Sequence, residues 1–150
     1  MSTLMHPQSF QSSELSRNPK AVFDAVEHGA VSITRRDGSP LLLMRQDDAD
    51  GRDRLLALAG QLIAASLAGP DHFASHLADR FPWMLALSET EREQCAQEVL
   101  TAARASFDTQ QPHLAIAELT AWQGTAEAIA AGLGGETVEW LDEDVPVERP

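Results

Sequence analysis

The sequence predicts an α+β chain: a short helix, a second helix and a β-hairpin within the first fifty residues, followed by an all-helical extension and an acidic tail. Three observations predict it. Asn18-Pro19 opens a helix with an apolar stripe, Asp37-Gly38 joins two β-rich runs, and helical periodicity with its own caps takes over beyond Gly51. A length of 150 residues fits one ordinary domain, or a small domain with an extension, and excludes two full-sized domains.

In the stretch SSELSRNPKAVFDAVEHG, Ser12 and Ser13 cap a short first turn, and Asn18 stands as N-cap before a proline at the first helical position. Val22, Ala25 and Val26 give the second helix, about residues 19–28, its apolar stripe, and Gly29 suits its end. Val31 and Ile33 then alternate with polar neighbours, as in a strand with one buried face. Leu41, Leu42, Leu43 and Met44 form an unbroken apolar run, the pattern of a strand covered on both faces. Two strands cannot bury both faces by themselves, so the preceding helix plus a second subunit, or the downstream helices, must cover them.

RQDDADGRDR reads as a polar, glycine-containing break. Beyond it Leu55, Leu58, Ala59, Leu62 and Ile63 make one helical face, ending at Gly69-Pro70. Ser88-x-x-Glu91 is a capping-box pattern that opens a helix carrying Cys95, Val99, Leu100, Ala103 and Phe107. Gln111-Pro112 starts a last helix, with Leu119, Trp122, Ala126, Ile129 and Leu133 spaced by three and four. Residues 136–150 are acidic and aperiodic, and read as an unpacked tail.

Charge divides the chain. Through Gln46 there are five cations (Arg17, Lys20, Arg35, Arg36, Arg45) against four anions, a balance of +1, so with a net charge of −12 the remainder carries −13. A near-neutral head with its cations at turns and helix ends can touch phosphate, whereas the acidic remainder suits a basic protein partner. The start lacks a secretory pattern and no run of about 18 apolar residues offers a membrane span, so a cytoplasmic protein with no membrane partner is expected. Cys95 is the lone cysteine, at an apolar helical position with no cation beside it, and reads as a buried structural thiol. His72 and His76 have the i, i+4 spacing that zinc can use, but HFASH lacks the glutamate of a metalloprotease, and core or interface packing of the neighbouring Phe73, Leu77, Phe81, Trp83 and Met84 is the simpler reading. There is no phosphate loop, no nucleophile with a matched base and no placed carboxylate pair, so neither an enzyme nor a cofactor is expected.

Ser13-Glu14, then Arg17-Asn18, an apolar helix ending in Glu27-His28-Gly29, Val31-Ser32-Ile33-Thr34-Arg35-Arg36-Asp37-Gly38 and Pro40-Leu41-Leu42-Leu43-Met44 together resemble the Phd/YefM antitoxin family. The likeness covers about residues 8–46 and is most specific from Ile33 to Met44. Pro19 departs from the family pattern, at a position where proline leaves a helix intact. The resemblance implies a type II antitoxin that neutralises a cognate protein toxin and autorepresses its operon as a homodimer on operator DNA. It implies a DNA-binding and dimerisation module over residues 1–50, with Ser12, Ser13, Arg17, Asn18, Arg35 and Arg36 as DNA contacts. A RelE-like ribonuclease is the toxin it suggests, with Fic-fold and PIN-domain toxins open. Two toxin-binding surfaces are in play: Leu119, Trp122 and Ile129 on the last helix of the extension, 51–135, and Trp140 and Leu141 in the tail. The helical stripe can equally pack within the chain. The alternative functions are a stand-alone transcriptional regulator, or a protein-interaction adaptor with the same dimerisation module.

Overall fold

The computed structural model describes residues 7–134. In it the expected order is corrected at the first step: the described chain opens with a strand, β1 (Ser9–Gln11), and the sheet has three strands rather than two. After β1 come α1 (Glu14–Arg17), α2 (Pro19–Val26), β2 (Val31–Thr34) and β3 (Leu41–Leu43). Helices make up 69% of the described residues, so the chain is α+β only loosely. β1 pairs with β2 in parallel, and β2 with β3 antiparallel. A parallel pair requires a crossover, and α1 with α2 supplies it.

Register decides which side of this sheet is dry. Phe10, Ile33 and Leu41 align across the strands, as do Val31 and Leu43, on the face covered by α2. Val22, Val26, Val31 and Ile33 are buried there, with Phe10, Leu15, Ala25 and Leu43 packed around them. The opposite face carries Ser9, Gln11, Ser32 and Thr34, and among these polar groups stands Leu42. The expected two-faced burial of β3 is therefore not made within one chain: Leu41 and Leu42 are each 52% exposed. The link from β2 to β3 is also longer than a two-residue hairpin turn, running from Arg35 to Pro40, with Gly38 at φ +136°.

The polar stretch at 45–54 is not a break. Helix α3 (Gln46–Ser66) begins directly after β3 and runs through it. Asp47 and Asp48 lie in its first turn, where carboxylates face the positive end of the helix dipole. Gly51 interrupts nothing; a Cβ there would lie 3.1 Å from Pro112 Cγ, so its bareness lets the start of the last helix approach. A 3-10 turn (Pro70–His72), α4 (Phe73–Arg80), a second 3-10 turn (Pro82–Ala86), α5 (Glu89–Thr109) and α6 (His113–Ala130) complete the helical unit.

Its core gathers Leu55, Leu58, Leu62, Phe73, Leu77, Met84, Leu87, Cys95 and Val99. The capping box forms as the sequence indicates: Ser88 Oγ accepts from the Glu91 amide at 3.3 Å, and the Ser88 amide donates to Glu91 Oε2 at 2.9 Å. Arg92 ties the preceding 3-10 turn down by donating to the carbonyls of Met84 and Leu87. Three positions of the expected apolar faces point outward: Ile63, at 62% exposed, Phe107, and Leu133, which lies beyond the end of α6. The two cores are separate: no element before Arg45 packs extensively on one after it.

Candidate nucleic-acid interface

Because β1 and β2 run in parallel, their C-terminal ends lie together, at Gln11 and Thr34. The Ser12 amide donates to the Thr34 carbonyl at 2.9 Å, and Thr34 Oγ1 donates to the Phe10 carbonyl at 3.1 Å. This brings Ser12 and Ser13, at the start of α1, beside the β2–β3 turn that carries Arg35 and Arg36. One end of the sheet thus gathers hydroxyls and guanidinium groups from segments more than twenty residues apart. Such groups serve phosphate contacts in protein–DNA interfaces.

The individual side chains differ in what they have left to offer. Ser13 is the N-cap of α1 but its hydroxyl caps nothing, and that end of the helix is instead closed by Glu14, whose Oε2 accepts from the Gln11 amide at 2.6 Å. Asn18, expected to cap α2, makes no side-chain cap either; its amide closes α1 by donating to the Glu14 carbonyl at 2.8 Å. Arg35 is spent largely on its own turn, donating through Nε and Nη2 to the Ser39 carbonyl at 3.0 and 2.8 Å. The positive φ favours glycine at Gly38, and a Cβ there would fall 2.9 Å from that guanidinium and push it off its contact. Arg45 is committed as well, gripping Asp48 at 2.9 and 3.1 Å and lying 3.9 Å from Glu27. The hydrogen bond to Asp48 chiefly holds the Arg45 pKa above its ordinary value.

Of the five cations of the head, Arg17, Lys20 and Arg36 are exposed and make no side-chain hydrogen bond or ion pair among the described residues. Lys20 is the one sequence reasoning passed over. Its signal was present: it occupies the first turn of α2, where a cation opposes the helix dipole and no acidic residue balances it.

The expected partner-binding residues of the extension are engaged within the chain. Leu119, Trp122 and Ile129 pack against the helical core. Trp122 Nε1 also donates to Glu98 Oε2 at 2.9 Å, while Gln94 Nε2 donates to Glu98 Oε1 at 2.8 Å. These bonds, that from Gln94 first, hold the Glu98 carboxyl below its ordinary range. Trp140 and Leu141 lie outside the described residues. Burial, with Glu98 and Glu118 adding to it, pushes the Cys95 thiol up to about 12, so it is a protonated, inert thiol at neutral pH. His72 and His76 are exposed; His76 Nδ1 lies 3.5 Å from Asp79, and the described residues hold no cluster of His, Cys, Asp and Glu suited to a metal.

No family model, curated protein or solved structure matches the chain. Among the described residues no helix is long and apolar enough to cross a membrane.

Proposed function

We propose that the chain is a type II antitoxin, which binds its own operator through residues 7–45 and neutralises a cognate basic protein toxin through the acidic remainder. The observation that carries this reading is the sheet end. Segments that bear the resemblance to Phd/YefM antitoxins, from Ser12 to Arg36, come together there around one small core. They leave Arg17, Lys20 and Arg36 uncommitted on the part of the chain that is not acidic. The half-exposed Leu41 and Leu42 support a dimer through β3, which would set two such heads on a palindromic site. With the stripe of α6 packed internally, Trp140 and Leu141 are the toxin contacts proposed.

The test has two arms. Titration of the DNA upstream of the gene should show salt-dependent binding, and Arg36→Ala should weaken it and reduce the salt slope by about one unit, the amount for one lost phosphate contact. Equal affinity and slope in the variant would remove Arg36 from the interface, and absence of any binding would remove the operator. A chain ending at Glu136 should keep DNA binding but no longer rescue growth when the neighbouring toxin gene is co-expressed. Rescue by that truncated chain would return the toxin site to the helical unit.

A further inference from the structure

Among the described residues, the outer face of α3 carries a seam with no partner. Leu56, Ile63 and Leu67 are 72%, 62% and 83% exposed, in line with Gly60, whose missing Cβ would meet nothing within 4 Å. Their spacing, four, three and four residues, is the d–a–d–a pattern of a coiled coil, on the side of the helix away from the buried Leu55, Leu58 and Leu62. The positions flanking the seam are Ala57, Ala59, Ala64 and Ser66, all small. No charged residue occurs from Leu55 to Pro70, in a chain whose net charge is −12.

We propose that this face binds the same face of a second copy, as an antiparallel pair of α3 helices. Three features select a second copy over a basic partner. The seam offers a cation nothing, since it bears no carboxylate. For a chain this acidic, an uncharged strip is where two copies meet with least repulsion. The seam also complements itself: in an antiparallel pair centred between Gly60 and Ile63, Leu56 of one copy lies opposite Leu67 of the other, and each Ile63 fills the hollow left by the opposing Gly60. Small flanking residues let the helices approach to the near end of the usual interaxial range.

Size sets the strength. Three large side chains per copy, at on the order of 100 Å² each, bury roughly 600 Å² of apolar surface in the pair. This is below the roughly 1,200 Å² of standard specific interfaces, so the association is a weak one, expected at micromolar concentration or above. The inference goes beyond the operator-binding reading and does not depend on it. A twofold axis centred between Gly60 and Ile63 passes roughly 23 Å from the start of α3, which follows shortly after β3, given a rise of about 1.5 Å per residue. The seam and a β3 dimer therefore use different axes, and a chain with both forms assemblies larger than a dimer.

Sedimentation of the full chain over a micromolar series tests this, with Ile63→Asp and Leu42→Asp beside it and circular dichroism as the check on folding. Ile63→Asp is expected to halve the mass of the largest species, while Leu42→Asp keeps the association through α3. An unchanged mass for a folded Ile63→Asp overturns the proposal. Failure of the β3 dimer would show separately, as a wild-type mass in Leu42→Asp. Geometry is read by disulfide formation, to which the buried Cys95 contributes nothing. A mixture of Leu56→Cys and Leu67→Cys chains should cross-link between the two variants. Neither variant alone should do so, because its two thiols would sit roughly 16 Å apart. Cross-linking as strong within each variant as between them overturns the antiparallel pairing.

Discussion

Ser106 is fully buried on α5, and its Oγ accepts a hydrogen bond from the Ala115 amide at 3.0 Å. Ala115 is in the first turn of α6, whose own N-cap position is Pro112 and provides no side-chain acceptor. The first amides of a helix have no partner inside it, so a serine from the neighbouring helix caps this one from the side. Removing the hydroxyl leaves that amide buried and unpaired, and Ser106→Ala is expected to cost about 1–3 kcal/mol in a denaturant melt. A loss within a few tenths of a kcal/mol would show that water replaces the hydroxyl without penalty. Arg35 shows the same economy at the other end of the chain. Its contact with the Ser39 carbonyl gives it a sufficient structural role, and Arg36 is therefore the sharper probe of DNA binding.

At the scale of elements, what the sequence made legible were the local signals. Ser88-x-x-Glu91 marked the start of α5 because a cap is written within four residues, and Pro19 marked that of α2 at its first helical position although Asn18 forms no side-chain cap. β1 was not legible. Three residues, Ser9–Gln11, have no period of their own, and they become a strand only by pairing with β2 more than twenty residues away. The continuation of α3 through Gly51 was hidden for a related reason: the glycine reads as a break, but its function is close contact with Pro112, which lies sixty residues on. In the candidate site the residue types were legible and their commitments were not, since the grip of Arg35 on its own turn depends on the course of the loop. The glycines allow a direct check. Gly124 lies inside α6 with open space around its Cβ position, so Gly124→Ala should stabilise the chain by about 0.5–1 kcal/mol through helix propensity. Gly51→Ala should gain less or lose, because Pro112 must give way. Equal gains in equilibrium unfolding would deny that the contact constrains Gly51.

Over the whole molecule, two cores of unequal size share one continuous chain. The smaller is built on four buried side chains, Val22, Val26, Val31 and Ile33, within about 40 residues, a length at which a chain usually needs a further covering surface to stay folded. Leu41 and Leu42 are the half-exposed side chains of its edge strand. The larger core includes α3 from Leu55 onward, and the approach of Pro112 to Gly51 extends its contacts one turn further toward the start of that helix. Helix α3 is continuous across Gly51, so a division at Arg45, before α3, stands as the alternative to the one at Gly51 that the polar composition suggests. Two fragments separate these boundaries. Residues 46–134 should fold alone with a cooperative helical melt. Residues 51–134 lack the first turn of α3, with Asp47 and Asp48 at the positive end of its dipole, and start at the residue that faces Pro112. They should be less stable by on the order of 1–2 kcal/mol, the sum of lost dipole pairing and a frayed first turn. Matching denaturation midpoints for the two fragments would place the boundary at Gly51 after all, and would assign the first turn of α3 to the smaller unit.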